Sequence, residues 1–241
     1  MQSALYVALS AQVALSKRLE TVSRNVANMN TAGYRADEVK FKEILDKAGP
    51  DKVSFASGGE IFISRQTGSL NKTDNPLDIA VEGEGFLAIQ TPSGVAYTRD
   101  GRMQMGTDGV LRTVNGYEVL DAGGLPVIID PEGGPPNISQ NGEVTQGEDV
   151  LGTIGLFQIA ADAKLTRHDN SAVIPDKPAT PVQEFSKDGI RQGYVEGANI
   201  NPIREMTKMI MITRAFESAT AMIDQSNDTQ RTAIRELGET S

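Results

Sequence analysis

SALYVALSAQVALSKRLETVSRNVANMN, residues 3–30, contains neither Gly nor Pro, and its reading decides the architecture. A run of this length without a breaker predicts one continuous helix. Leu5, Ala8, Gln12, Leu15, Leu19, Val22, Val26 and Met29 recur along it at alternating spacings of three and four, the heptad pattern of a coiled-coil seam, with Gln12 its polar member. Asn30-Thr31-Ala32-Gly33 ends the helix, Gly33 supplying a left-handed stop. Asn25, Asn28 and Asn30 gather near that end. Asn tolerates left-handed geometry and bonds carbonyls that a helix terminus leaves free, so these residues, with Gly33 and Tyr34, predict a capped polar hinge.

The other end of the chain mirrors the first. Asn201 is a helix cap and Pro202 suits the first helical position, and no Gly or Pro follows until Gly238. Met209, Ile212, Phe216, Ala219, Ile223, Ser226, Gln230, Ala233 and Leu237 repeat the heptad alternation. Neither helix can bury its own seam, so each requires a partner, and the two are candidates for each other. Even when paired they leave Tyr6, Leu9, Val13, Ile203, Met206, Ile210 and Met211 pointing outward, and such apolar surface calls for neighbouring molecules. The contacts expected to carry assembly are Leu5, Leu15, Leu19, Val22, Val26 and Met29 on the first helix. On the second they are Met206, Met209, Ile212, Phe216, Ile223 and Leu237. The competing reading is that both helices pack on the middle of the chain.

That middle alternates short apolar runs with turn signals, an all-β pattern. Strands are predicted at Glu60–Arg65, Gly85–Thr91, Val110–Val114, Tyr117–Leu120, Val127–Ile129 and Thr153–Ala160. Asn115-Gly116 predicts a two-residue hairpin turn with positive φ at both positions. Asn75-Pro76-Leu77-Asp78 reads as a turn launching a buried strand, because the residue before Pro is driven out of helical space. Tyr97-Thr98-Arg99-Asp100-Gly101 closes a strand in a turn and sets Arg99 beside Asp100 as an ion pair. The predicted class is α+β: long terminal helices forming a coiled-coil-like core segment, with a β-rich middle domain. The boundaries are a helical segment at 1–35, a connector at 36–57, the β-rich domain at 58–197 and a helical segment at 198–241.

Composition narrows the function. The net charge of −9 over 241 residues argues against a nucleic-acid binder, which needs a basic stripe, and against a polybasic membrane anchor. No window approaches the roughly 20 apolar residues that span a bilayer. The start lacks the basic and apolar regions of a secretory leader. With no Cys and one His, neither a zinc site of usual composition nor thiolate chemistry is expected. His168 lies in the polar, loop-like Thr166–Asn170, where a surface role outweighs a catalytic triad. Carboxylate pairs such as Asp74/Asp78 and Glu82/Glu84 are ordinary for turns and exposed strands. No catalytic, cofactor or metal site is predicted. A secreted carbohydrate-binding or hydrolytic β protein is the rival from another class, weakened by an aromatic content of 5% and the absence of Trp.

Three blocks resemble the flagellar axial proteins of rod and hook. RNVANMNTAGYRA (24–36) is similar to the family's N-N-L-A-N-x-N-T-x-G-F-[KR] signature, with Arg24-Asn25-Val26 and Tyr34 as mild departures. GSLNKTDNPLDIAVEGEGFLAIQ, followed by YTRDGRMQMGTDGVLRTVNGYEVL, resembles N-P-L-D-x-A-I-x-G-x-G-F-F, then Y-T-R-D-G, then G-x-L-V-T-x-x-G. GYVEGANINPIREMTKMIMITRAFESATAMIDQSNDTQRTAIREL (193–237) looks like the family's ending, with Gly197-Ala198-Asn199 departing where Glu-x-Ser-Asn is usual, although Glu196 is present. The blocks cover about half the chain in the expected order.

The resemblance implies a structural subunit of the torque-transmitting basal-body rod, with no reaction catalysed and no cofactor. The opening residues look closer to proximal than to distal rod members, with a distal or related axial subunit as the alternative. Implied partners are other copies of itself, neighbouring rod proteins and the flagellar type III export apparatus, with no membrane insertion. The implied location is the periplasmic rod, reached without a cleaved signal peptide. Within the motifs, Asn75, Pro76 and Asp78 are implied turn residues. Glu205 and Arg214 either meet charges on other subunits or belong to a solvated helix face.

Overall fold

The computed structural model describes residues 2–41, 43–46, 53–56, 59–185 and 187–239, with side chains 2–6, 43–46, 53–56, 230, 233, 236, 237 and 239 left aside. The side chains of Leu5, Tyr6 and Leu237 therefore lie outside the described residues. The chain divides into two compact units: residues 1–27, 37–62 and 201–241 form one, and residues 28–36 and 63–200 form the other.

The helical unit holds α1 (Gln2–Ala27), β1 (Asp37–Lys40), β2 (Glu43–Asp46), β3 (Val53–Ala56), β4 (Glu60–Ile63) and the long α2 (Pro202–Glu239). β2 and β3 form an antiparallel hairpin, and β1 pairs with β4. Asn201 caps α2 as its residue type demands: its Oδ1 accepts the Arg204 amide at 3.1 Å and its carbonyl accepts the Glu205 amide at 3.0 Å. Gln12 Nε2 donates to Thr220 Oγ1 at 3.1 Å, and Asn25 Nδ2 donates to Glu205 Oε2 at 3.4 Å. As α1 advances from 12 to 25 its partners retreat from 220 to 205, so the helices run antiparallel over about 20 Å.

A division into terminal helices and a β-rich middle is present, but the expected coiled-coil-like core segment is not. Each end is a single helix, of 26 and 38 residues; on α1 the most buried positions other than Val22 lie beside the predicted seam, while on α2 they lie along it. On α1 the buried residues are Ala14, Thr21, Val22 and Asn25, and among the seam positions Leu15, Leu19 and Val26 are only half-buried. The reason is that α1 packs against β1 and β3 as well as α2, so small and polar residues fill the close approaches. On α2 the described buried residues are Glu205 and Ile212, with Met209, Phe216 and Ile223 half-buried. With Gln12 against Thr220 and α1 beginning at Gln2, α2 outruns α1 beyond about residue 230. Ile234, three turns past Ile223 along the same line, is 71% exposed because nothing of α1 remains opposite it.

The β-rich unit begins with β5 (Leu70–Lys72), β6 (Ile79–Glu82), β7 (Phe86–Thr91), β8 (Gly94–Thr98), β9 (Met103–Met105), β10 (Leu111–Thr113) and β11 (Glu118–Val119). It continues with β12 (Asn137–Ile138), β13 (Glu143–Gln146), β14 (Asp149–Thr153), β15 (Leu156–Gln158), β16 (Leu165–His168), β17 (Ala172–Pro175), β18 (Thr180–Pro181), β19 (Gly189–Gln192) and β20 (Tyr194–Glu196). The principal sheet is antiparallel, with order β16-β17-β8-β7-β11-β10-β9; β15 shares the β11 edge of β7 and carries β18. Phe86-Leu87-Ala88-Ile89 is buried on both faces, which makes β7 the spine of the sheet. Leu87 enters the main core with Val81, Leu111, Val144 and Leu156, while Phe86 and Ala88 point to smaller clusters on the other side.

Several local readings need correction. The Asn115-Gly116 hairpin is not a two-residue turn: Thr113 and Tyr117 close a three-residue loop, with the Thr113 amide on the Tyr117 carbonyl at 2.8 Å. Positive φ occurs at Gly116 (86°) and not at Asn115, the pattern of a three-residue hairpin. Val127–Ile129 contributes an isolated bridge from Ile128 to Val110 rather than a strand. His168 lies not in a loop but at the end of β16, opposite Ala172. Arg99 pairs elsewhere, and Asp100 takes Arg102 instead, at 2.7 Å. The Asn75 turn forms, with Asn75 Oδ1 accepting the Leu77 amide and Asn75 Nδ2 donating to Asp78 Oδ1, and it launches the buried β6. Among the described residues no helix is long and apolar enough to cross a membrane.

Leu87→Ala should lower the unfolding free energy by about 2–5 kcal/mol, since it empties a fully buried position in the spine strand. Chemical denaturation followed by far-ultraviolet circular dichroism checks this.

Candidate functional site

Within the β-rich unit, residues 28–36 are fastened by a dense polar junction. Gly33 donates its amide to the Glu196 carbonyl at 2.8 Å, with φ of 65°. A Cβ there would stand 2.2 Å from the Asp100 amide nitrogen and 2.3 Å from the Arg99 carbonyl carbon, so only glycine fits. The next two residues are gripped from outside the segment. The Arg167 guanidinium lies 4.3 Å over the Tyr34 ring and donates to the Arg35 carbonyl.

One carboxylate anchors this junction. Glu196 Oε1 pairs with Arg35 Nη2 at 3.0 Å and accepts the Gly68 amide at 2.8 Å, while Oε2 accepts Arg99 Nη1 at 3.0 Å. All three side chains are sealed from water, at 3%, 1% and 1% exposure for Arg35, Arg99 and Glu196. Arg99 also donates to the carbonyls of Val81 and Gly83 and lies over the Phe86 ring. Burial pulls Arg35 down to about 10, with Glu196 opposing and Arg99 reinforcing the shift. Burial also lowers Arg99, against the attraction of Glu196, Asp188 and Glu84. Both guanidinium groups stay charged at neutral pH, so the carboxylate between them is obligatory.

Asn199 ties the ends of the unit's segments together. Its Oδ1 accepts the Ala36 amide at 2.7 Å, its Nδ2 donates to the Gln66 carbonyl at 2.8 Å, and its own amide donates to the Tyr34 carbonyl at 3.2 Å. Ser64 donates its amide to the Ala36 carbonyl at 2.8 Å. Residues 36, 63 and 200 are where the chain passes between units, and these bonds hold their neighbourhoods in one register.

The helical unit has its own polar knot. The Asn25 carboxamide pairs with the Asp37 backbone as a strand would, accepting the Asp37 amide at 2.9 Å and donating to its carbonyl at 2.9 Å. Glu205, also buried, accepts from Asn25 and from Lys208. Arg24 bridges Asp37 and Glu20. Asn25 thus acts on a segment twelve residues away.

The predicted site residues separate into these clusters. Asn28 meets Thr31, whose amide donates to its carbonyl and whose hydroxyl donates to its side chain, and Asn30 is exposed. Leu15, Leu19, Val22 and Val26 lie along α1, Met29 just beyond it, and Met209, Ile212, Phe216 and Ile223 along α2. Arg214 is exposed. Leu9, Val13, Ile203, Met206, Ile210, Met211 and Met222 are also exposed. On α2 the exposed apolar residues face away from the Glu205–Ile212 line and are interspersed with the exposed charges of Arg204, Lys208 and Arg214.

Arg35, Arg99, Glu196 and Asn199 were not singled out as site residues. Their signal was present: each sits inside one of the quoted blocks, and a polar residue fixed in a motif is a candidate for a buried bond. What hid them is sequence distance, since Arg35 and Glu196 are 161 positions apart.

Comparison with known proteins agrees with this arrangement. Residues 5–35 match the family model "Flagella basal body rod protein", residues 80–146 "Flagellar hook protein FlgE/F/G D1 domain", and residues 191–236 "Flagellar basal body rod FlgEFG protein C-terminal". Curated relatives of the same design align end to end. The chain is 45% identical to the flagellar basal-body rod protein FlgF of Mesorhizobium japonicum, over 100% of both chains. It is 43% identical to FlgF of Rhizobium meliloti and 36% identical to FlgF of Caulobacter vibrioides, over 99% of each chain in both cases. The chain belongs to the flagellar basal-body rod family and is a structural subunit of the rod.

Glu196→Ala should cost about 3–5 kcal/mol, because it leaves two buried guanidinium groups without their carboxylate. Arg191→Ala, which removes a half-exposed partner of Glu82, should cost under about 1 kcal/mol. Urea denaturation of the two variants side by side checks the contrast.

Proposed function

We propose that this chain is a subunit of the proximal rod, polymerising through its helical unit and acting by packing and stiffness rather than by catalysis. The observation that carries the reading is the apolar surface left open on α1 and α2. Among the described residues, Leu9 and Val13 on one helix and Ile203, Ile210 and Met211 on the other are each at least half exposed. Leaving several large apolar side chains in water forfeits roughly 1.5–3 kcal/mol each, which neighbouring subunits would recover. The full-length likeness to FlgF proteins supports the proximal position.

Partners on this reading are further copies of the chain and neighbouring rod subunits, meeting by unlike surfaces repeated along a screw axis, which generates an open tube. The chain travels through the flagellar type III export apparatus unfolded and without a cleaved signal peptide. The marginal burial of α1 and α2 suits such passage, since less apolar packing must be undone. The Asn25-centred knot then stiffens the helical unit under torque, and the Glu196-centred junction stiffens the β-rich unit.

Leu9→Asp and Met211→Asp place charges on exposed positions, so each isolated chain should keep its melting temperature within a few degrees. In a strain lacking the native chain, each variant should abolish swimming and leave basal bodies without a complete rod. Normal motility from both variants would overturn the assignment of this face to assembly.

A further inference from the structure

The chain has no Cys and no Trp, so a two-electron oxidant meets its methionines first. Of 8 methionines, Met206, Met209, Met211 and Met222 lie on α2. Met206, Met211 and Met222 are 45%, 66% and 66% exposed, whereas Met103 is 4% exposed in the principal core. In the β-rich unit Met103 is shielded and Met105 is 37% exposed, while three of the four α2 sulfurs are more open than either. Met211 and Met222 are eleven residues apart and share one line of the helix, three turns from end to end. Met206 shares a second line with Ile203 and Ile210. Together they span the apolar arc that faces away from Glu205 and Ile212.

We infer that Met206, Met211 and Met222 form an oxidation-sensitive modification site that decides whether an unassembled subunit can join the rod. The proposal rests on the assembly role of the helical unit given above. The modifying agent is a peroxide-class oxidant. The thioether sulfur gains one oxygen and is oxidised by two electrons, and hydrogen peroxide is reduced to water as its O–O bond breaks; no group leaves the protein. The product is a polar, chiral sulfoxide in place of a flexible apolar chain. A surface that must be buried against another apolar surface then carries three polar acceptors whose desolvation opposes association. Reduction by methionine sulfoxide reductases with a dithiol returns the thioether, the dithiol becoming a disulfide and the oxygen leaving as water. Once neighbours cover α2 the sulfurs are out of reach, so the sensitivity belongs to the free subunit.

The test uses the full-length chain and hydrogen peroxide. Peptide mass spectrometry should find Met206, Met211 and Met222 oxidised at least tenfold faster than Met103. Sedimentation velocity should show the oxidised chain self-associating at least tenfold more weakly than its own untreated sample, and reductase treatment should restore it. In the Met206→Leu/Met211→Leu/Met222→Leu variant the treated and untreated samples should associate alike. Full association of wild-type chain oxidised at all three positions, or an equal loss in the leucine variant, overturns the proposal while leaving the assembly reading in place. An untreated chain that stays monomeric at every concentration overturns both. Should the leucine variant not associate untreated, the reductase arm decides: no recovery on reduction of wild-type chain overturns the proposal.

Discussion

A single carboxylate held between two guanidinium groups organises the β-rich unit of this protein. Glu196, at the end of β20, receives Arg35 from the segment that follows α1 and Arg99 from the end of β8. Three stretches remote in sequence are thereby drawn to one buried point. Its energetic logic is one of obligation rather than gain: two desolvated cations tolerate the interior only while their anion is present. Gly33 belongs to the same constraint, because its left-handed backbone lets the chain pass against the Arg99–Asp100 backbone at a distance no side chain permits. Asn199 completes the junction with bonds to two segments, at Tyr34 and Ala36 and at Gln66.

The helical unit is built on the opposite principle. Its polar knot, Asn25 with Asp37 and Glu205, is satisfied internally, but much of its apolar surface is not. A two-helix antiparallel pair with α2 outrunning α1 cannot bury both of its apolar arcs. The two units differ accordingly: the β-rich unit closes a large core while leaving Leu125, Ile128 and Val150 exposed, whereas the helical unit leaves an apolar face open along α2. On the assembly proposed above, that open face is the one offered to neighbouring subunits.

The helices were legible because thirty-odd residues without Gly or Pro leave the chain little choice, and the Asn75 turn was legible because Pro76 restricts its predecessor. The coiled-coil seam was misread. Heptad spacing records where apolar residues lie but not what covers them, and α1 must serve β1 and β3 as well as α2. Strands such as β19, Gly-Ile-Arg-Gln, escaped notice because their partner lies far off in sequence: β19 pairs with β6, more than a hundred residues earlier. The Arg99–Asp100 pairing failed for the same reason. Adjacent opposite charges suggest a local pair, yet burial sends Arg99 to Glu196 and leaves Asp100 to Arg102. Local chemistry is written locally, whereas a junction of four residues from three motifs is visible only once the chain has folded.

The most direct measurement is an electron cryo-microscopy structure of the basal body that resolves this subunit's side chains. The account predicts that Leu9, Val13, Ile210 and Met211 are each packed against apolar residues of adjacent subunits. Finding those four side chains facing solvent or the open channel, with the subunit held by its β-rich unit alone, would contradict it.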